Sequence, residues 1–203
     1  MKDSSQIVGG SSGGPVAGAA RKGAVDYVVR SATNPPIAPN RAAAGALRRM
    51  SELRRVRKQI DVAYAGAVAL QLLVESPWLA SCTLNLRAES AYNDEGGHHR
   101  SISVMAEDIR LAQGASFPTQ IFSGGMFNEE EAAAWIEEQV EDDDAALYCA
   151  FRSADSYEDL ALKVCRIAVT GLLNQLKANG TASGCAAFRA LWPQDDDSMR
   201  ADL

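Results

Sequence analysis

One stretch decides the fold: RAAAGALRRMSELRRVRKQIDVAYAGAVALQLLVES, residues 41–76. Its apolar residues recur at spacings of three and four, which predicts one long α-helix with a continuous seam. The seam consists of Leu53, Val56, Ile60, Ala63, Ala67, Leu70 and Val74. Asn40 is a good N-cap for this helix, and Pro77 ends it. The second half is apolar nearly all round, so we expect it to be buried.

A β-hairpin is predicted directly after this helix. Residues 83–87 alternate apolar and polar side chains, and so do residues 101–104. Residues 92–97, YNDEGG, combine Asn, Asp and Gly, which tolerate the positive φ of a tight turn. We expect the hairpin to extend to Leu111. Residues 117–122 and 146–151 are candidates for two further strands.

Two helices are predicted in the second half of the chain. Asn128, followed three residues later by Glu131, is typical of a helix N-terminus. A second helix is expected from Asp155 or Ser156 to about Ala178, closed by Asn179-Gly180. Ser183 begins a short helix that ends at Pro193. Four residues of these helices and of the first helix are predicted to be buried in the core: Ile60, Leu70, Ile167 and Leu172.

The first 40 residues differ in composition from the rest. They are rich in Gly, Ala and Ser, contain few large apolar residues, and close with the segment NPPIAPN. Such a segment buries too little apolar area to offset its chain entropy. We therefore predict a flexible arm over residues 1–40 and a single domain over residues 41–203, with a frayed acidic tail. The fold class is α+β: the long N-terminal helix and the 156–178 helix pack on a small antiparallel sheet.

Charge is divided sharply along the chain. Residues 1–81 hold 11 Lys/Arg and 5 Asp/Glu, a balance of +6, whereas residues 82–203 hold 9 and 21, a balance of −12. The two sum to the net charge of −6. Such asymmetry bears on partners and association rather than on fold. An acidic chain of this kind is not expected to bind DNA nonspecifically as a whole, although a local basic contact is compatible with it.

Composition also bounds the class of protein. A hydrophobic content of 47% and a charged content of 23% are globular values, so a sizeable core is expected. Residues 62–74 form the longest apolar run, which is too short to span a bilayer, so no membrane partner is predicted. The four cysteines are scattered and no signal-peptide pattern is present. We expect a cytoplasmic protein with reduced thiols.

No catalytic signature stands out. Residues 7–15, IVGGSSGGP, resemble both the start of an activated trypsin-like protease and the loop around its serine nucleophile. In that family the catalytic His and Asp precede the nucleophile, but His98 and His99 are the sole histidines and follow it. A phosphate loop and a dinucleotide-binding glycine motif are both missing. We therefore assign no catalytic residue, no metal site and no cofactor.

A metal-dependent enzyme is nevertheless one alternative to consider. Asp94, Glu95, His98 and His99 lie within six residues at the expected hairpin tip, and carboxylates and imidazoles are ligands for zinc. Adjacent histidines on an extended backbone point to opposite sides, so both rarely bind one ion. A solvated turn is therefore favoured at residues 94–99.

Two charged surfaces are candidates for partner binding. The acidic candidates, which could imitate a phosphate backbone toward a basic protein, are Glu137, Glu138, Glu141 and Asp142. The basic candidates, on the first half of the long helix, are Arg54, Arg55 and Lys58. These cations could grip nucleic acid, dock a protein, or pair with acidic residues within the chain or across a homodimer.

The leading hypothesis is a non-enzymatic binding protein that acts as an inhibitor, adaptor or regulator through its acidic surface. Its partner is then a protein with a basic surface. An accessory protein of a phage or mobile element that blocks a nucleic-acid-handling machine would have this general character. The first alternative is a nucleic-acid-binding regulator that uses the basic helix 41–58, and the second is the metal-dependent enzyme at 94–99.

Overall fold

A computed structural model gives the architecture of the chain. It describes residues 25, 27–29, 37–93, 97–123, 125–153 and 155–193, and the side chains of residues 27–29, 37, 38, 93, 97, 98 and 123 lie outside the description. The chain forms two compact units, Met1–Leu53 and Arg54–Leu203. Helix α1, Arg41–Glu75, crosses from one to the other.

The first unit contains a short strand pair and the start of α1. β1, Tyr27–Val29, pairs antiparallel with β2, Ile37–Pro39. The side chain of Asn40 caps α1 as predicted, since its Oδ1 accepts a hydrogen bond from the backbone N–H of Ala43 at 2.8 Å. The pair lies inside the segment predicted to be a flexible arm, and the remaining residues of that segment, apart from Val25 and Asn40, lie outside the described residues.

The second unit is built on a three-stranded antiparallel sheet. Its strands, in the spatial order β4-β3-β7, are β3 (Leu79–Asn93), β4 (Gly97–Leu111) and β7 (Leu160–Cys165). Four helices accompany it: α2 (Glu129–Val140), α3 (Asp144–Cys149), α4 (Thr170–Asn179) and α5 (Gly184–Leu191). A small pair, β5 (Phe122–Ser123) and β6 (Met126–Phe127), precedes α2.

The predicted α+β class and the predicted hairpin are both confirmed. β3 and β4 pair from Leu79↔Leu111 to Asn93↔Gly97, so the hairpin reaches Leu111, and the residues between Asn93 and Gly97 lie outside the described part of the chain. Two register shifts lie near the base of the hairpin: the one between Leu79 and Ser81 adds a residue to β3, and the one between Ser81 and Thr83 adds a residue to β4, where Asp108 adopts a φ of 52°. An extra residue on one strand with positive φ is a β-bulge.

One face of the sheet carries the core. Side chains alternate along the strands, so Leu84, Leu86, Leu162 and Val164 are buried while Arg87 and other intervening residues are not. The buried face packs against α1, α2, α3 and α5 through large apolar side chains, which include Leu72, Leu73, Trp78, Ile136, Leu147, Tyr148 and Phe188. The opposite face of the sheet is solvated, as is common for antiparallel sheets.

The predicted helix over residues 156–178 is wrong in its first half. Leu160–Cys165 is the edge strand β7, a turn of 3-10 helix follows at Arg166–Val169, and α4 begins at Thr170. The residues Leu160, Val164 and Ile167 fit a helical spacing, but the same stretch also alternates with a period of two. Pairing with β3 selects the strand, because the edge of β3 opposite β4 would otherwise lack a partner. The end of α4 is as predicted: Gly180, with a φ of 71°, donates its N–H to Leu176 O at 2.8 Å.

The strand expected at residues 146–151 is also wrong, since Asp144–Cys149 is helix α3. Short apolar runs do not distinguish a strand from a buried helical turn. The strand expected at residues 117–122 is a 3-10 turn, Thr119–Ile121, followed by the two residues of β5.

The core prediction is half correct. Leu70 is buried and Leu172 is half-buried, but Ile60 is 61% exposed and Ile167 is 83% exposed. Ile167 lies in the 3-10 turn that replaces the middle of the expected helix, so it no longer points at the sheet. Ile60 belongs to a part of α1 that the described residues leave exposed.

Helix α5 crosses α1 at very short distance. Gly66 of α1 faces Gly184 of α5, and a Cβ added at Gly66 would stand 2.6 Å from Phe188 N and closer still to Gly184 O. Both positions need glycine because backbone meets backbone there. The crossing brings α5 against the backbone of Ala63 and Ala67. The predicted seam is nevertheless not the buried face of α1, since Leu70 is buried but Ala67 and Val74 are exposed. The side of the helix that enters the core carries Ala65, Val68, Ala69, Leu72 and Leu73.

Arg166 holds the C-terminal end of α1. Its Nε donates to Leu79 O at 2.6 Å, and its Nη2 donates to Ser76 O at 2.7 Å and to Leu73 O. The last carbonyls of a helix have no partner within the helix, and here a guanidinium supplies one. Burial lowers the pKa of Arg166.

Candidate partner-binding groove

The groove begins at the free edge of β4. Within the described chain β4 pairs with β3 alone, so its other edge has no neighbouring strand. Helix α2 closes part of this edge, because Glu137 Oε1 accepts a hydrogen bond from the backbone N–H of Ala106 at 2.8 Å. A carboxylate oxygen thus takes the place that the carbonyl of another strand would take.

This hydrogen bond fixes which backbone groups point outward. Backbone N–H groups of an antiparallel strand alternate between the two edges. Since the N–H of Ala106 points away from β3, those of Val104 and Ile102, at steps of two residues, do the same. Both residues line the groove together with Ser103.

Helix α2 forms the opposite wall. Asn128 Oδ1 accepts hydrogen bonds from the N–H groups of Glu130 at 3.1 Å and Glu131 at 3.4 Å, which fixes the start of the helix. Three side chains anchor α2 in the core: Ala132, Ile136 and Val140. With that face buried, the helix presents carboxylates toward β4.

The resulting groove has a volume of about 390 Å³. The lining is completed on the helical side by Ala134, Glu137, Glu138, Glu141 and Asp144. Among the described residues the ion pairs are Arg87–Asp159 at 3.8 Å and Arg152–Glu158 at 3.4 Å, so no cation of the described chain pairs with these carboxylates. Within the described residues the groove is therefore a negative surface without an ion-pairing cation.

The charges within the groove act on one another. Burial raises the pKa of the Asp144 carboxyl above its usual range, and the carboxylates of Glu141, Asp142 and Asp143 raise it further. The backbone N–H of Ala145 opposes this by lowering the pKa. Bringing a cation into the groove would relieve this repulsion.

The structure brings three of the four predicted acidic residues together. Glu138 and Glu141 line the groove, and Glu137 lines it while also binding the β4 edge. Asp142 is exposed in the 3-10 turn Glu141–Asp143 and does not line the groove. Sequence reasoning missed Asp144 as part of this set, although its position next to the acidic cluster was a usable signal.

The predicted basic residues lie elsewhere. Arg54 and Arg55 are exposed on α1. Lys58 is also exposed, and its Nζ donates to Cys149 O at 3.2 Å, at the C-terminal end of α3 where a cation is favourable. Farther along α1, Tyr64 donates its hydroxyl hydrogen to Asp143 Oδ1 at 2.6 Å, which raises the pKa of Tyr64. Residues 143 and 149 are thus both hydrogen-bonded to side chains of α1.

The expected metal ligands fall mostly outside the described residues. This applies to Asp94, Glu95 and the side chain of His98, whereas His99 is described and exposed. Among the residues that the structure does describe, no group of three or more His, Cys, Asp and Glu could hold a metal ion. The metal alternative at 94–99 therefore stays a prediction.

The cysteines show no activated thiol pair. All four are free: Cys82 is buried, and Cys149, Cys165 and Cys185 are half-buried. Burial raises the pKa of the Cys82 thiol to about 12, so this side chain is a poor nucleophile at neutral pH.

Comparison with known proteins adds no relative: no protein-family model, curated protein or solved structure matches the chain. Over the residues that are described, none of the helices combines the length and the apolar character needed to cross a membrane.

Proposed function

We propose that this chain is a non-enzymatic binding protein, an inhibitor, adaptor or regulator, that contacts a basic partner through the groove between β4 and α2. The observation that carries the proposal is the grouping of Glu137, Glu138, Glu141 and Asp144 in one groove without a cation from the described chain. A partner that supplies lysine or arginine would find complementary charge there.

The edge of β4 suggests how a partner would be oriented. Ile102 and Val104 offer outward N–H groups along one wall, and an extended segment can pair with such an edge by adding a strand. Its lysine or arginine side chains would then reach the carboxylates of α2 on the other wall. Charge would steer the encounter, and backbone pairing would fix the register.

The proposal covers a range of cellular roles. A protein that presents carboxylates in this way can occupy the basic channel of a nucleic-acid-handling machine, as an accessory protein of a phage or mobile element would. A cytoplasmic location is part of the proposal, and four free thiols are compatible with it.

A quantitative affinity capture from the native host tests the proposal. The bait is the full chain, compared with a triple variant that neutralises the groove, Glu138→Gln, Glu141→Gln and Asp144→Asn. A matched control neutralises three exposed acids at the start of α2: Glu129→Gln, Glu130→Gln and Glu131→Gln. We expect a basic protein that is captured by wild type and by the control and lost with the groove variant. Equal capture by all three baits would contradict the proposal.

A second candidate function is nucleic-acid binding through the basic helix. The observation that favours it is that Arg54, Arg55 and Lys58 are all exposed on α1. Their geometry at about 100° per residue places them on one side of the helix. Fluorescence anisotropy with a labelled duplex and a labelled single strand tests it. Salt-dependent binding that is lost with Arg54→Gln, Arg55→Gln and Lys58→Gln would favour this candidate over the groove.

A further inference from the structure

Helix α1 carries an apolar stripe that the described residues leave exposed. The stripe consists of Met50, Leu53, Val56 and Ile60, with exposed fractions of 50%, 68%, 42% and 61%. Every residue from 47 to 60 is exposed. Isolated large apolar residues on a surface need no explanation, but a row at helical spacing marks an interaction surface.

The stretch of α1 from residue 47 to residue 60 gains little stability from packing against the described residues. Most helical stability in proteins comes from packing an apolar face, and short helices without such packing are marginal in water. Arg54 and Lys58, four residues apart, add like-charge repulsion along this part of α1. Burying the stripe against a partner would stabilise this part of α1.

We propose that the stripe pairs with the same stripe of a second copy, forming a parallel, in-register coiled-coil dimer of α1. The spacing Leu53, Val56, Ile60 alternates three and four, which keeps a seam facing a partner helix. The preceding seam position is Arg49, the next one after Ile60 is the half-buried Ala63 beside Gly184, and Leu70 farther on is buried, so the fully exposed large apolar part of the seam is short.

The charges beside the stripe favour a second copy as the occupant. Glu52 and Arg57 flank the seam on opposite sides and are both exposed. In a parallel, in-register pair, Glu52 of one chain lies opposite Arg57 of the other, and symmetry gives two such pairs. Each chain therefore supplies both the acidic and the basic residue that such a dimer needs.

Arg49 ends the apolar contact at the seam position before Leu53, and three other cations do not oppose the arrangement. At about 100° per residue, Arg54, Arg55 and Lys58 project on the side of α1 away from the stripe. They stay in solvent when two stripes meet. Because the free seam is short, we expect a dimer that dissociates on dilution through the micromolar range.

Sedimentation velocity of the full chain across a dilution series tests the dimer. We expect Ile60→Glu to weaken self-association on the order of a hundredfold or more, since it places a carboxylate in the apolar contact. Ser51→Glu is the matched control, with the same added charge at an exposed position on the outward side of α1. It should leave the dimer intact, and thermal unfolding should show both variants folded.

A charge exchange identifies the register. Glu52→Arg or Arg57→Glu alone should weaken the dimer, because each places like charges opposite one another. The double variant should restore it, an outcome that neither a membrane nor an unrelated partner would produce. A wild-type chain that stays monomeric at every concentration would overturn the proposal, as would a double variant no stronger than the singles. A monomer that floats with phosphatidylserine vesicles would overturn it in favour of a membrane surface.

Discussion

Single residues explain much of how this chain is held together. Glycine at positions 66 and 184 allows α5 to lie directly on α1, where a side chain would meet backbone atoms. Arg166 closes the C-terminal end of α1 by donating to Ser76 O and Leu79 O. Glu137 closes part of the edge of β4. In each case a single residue, a glycine or a hydrogen-bonding side chain, allows contact between elements that are far apart in the sequence.

The glycine crossing gives a prediction about stability. Gly66→Ala should destabilise the protein by roughly 2 kcal/mol or more, because the new methyl group must displace backbone atoms of α5. Gly171→Ala is the matched control. An added Cβ there meets no described atom within 4 Å outside its own helix turn, so alanine should stabilise α4 by roughly 0.5–1 kcal/mol. Urea unfolding of both variants checks the pair, and similar effects at the two positions would contradict the crossing.

Asp144 gives a prediction about pH. Its raised folded-state pKa means that folding disfavours the charged form, so Asp144 costs stability above that pKa. The cost disappears as the pH falls toward the unfolded-state value of about 4. Asp144→Asn should therefore be more stable than wild type at pH 7, and the difference should narrow on acidification.

The measurement for Asp144 is urea unfolding of wild type and variant between neutral and acidic pH. Glu107→Gln, at an exposed position on β4, serves as control because it removes one carboxylate away from the groove. A wild type more stable than Asp144→Asn at pH 7, or a gap that does not change with pH, would refute the burial argument.

At the scale of elements, local signals predict those parts that local chemistry determines. Asn40, Asn128 and Ser183 cap helices where the sequence indicates, since a side-chain acceptor within reach of the next turn is enough. The β3–β4 hairpin follows from its alternation and its turn residues. These features depend on neighbours in sequence, and the sequence shows those neighbours.

Elements that depend on distant partners were not predictable in the same way. Leu160–Cys165 fits both a helical and a strand period, and the open edge of β3 decides between them. Ile60 belongs to a regular seam, yet most of that seam is exposed, and the face of α1 that the core covers carries Ala65, Leu72 and Leu73. Spacing in a sequence shows that a face is apolar, but it does not show which part of the chain covers it.

The candidate site also has one part that the sequence predicted and another part that it did not. Charge alone selected Glu137, Glu138 and Glu141, which the structure brings together in the groove. The other wall, from Ile102 to Val104, depends on β4 being an edge strand. The alternation of apolar and polar residues within one strand does not predict the order of strands in the sheet. Asp142 was grouped with the acids by sequence, but the 3-10 turn places it outside the groove lining.

At the scale of the whole molecule, the division of charge along the sequence corresponds to separate acidic and basic surfaces. The acidic groove lies between β4 and α2, and the exposed cations lie on α1. Each surface is suited to a different kind of partner. The central claim is that the acidic groove, not the basic helix, contacts the partner of this protein.

The measurement that tests this claim most directly is the association rate of the captured partner by surface binding kinetics at two salt concentrations. The Debye length falls from about 30 Å at 0.01 M salt to about 10 Å at 0.1 M, so steered association should slow steeply for wild type. Neutralising Glu138, Glu141 and Asp144 should slow association at low salt and flatten its salt dependence. Neutralising Arg54, Arg55 and Lys58 should not slow association, because it removes only charges that repel a basic partner. A groove variant that associates as fast as wild type, while the basic-helix variant fails, would contradict the account.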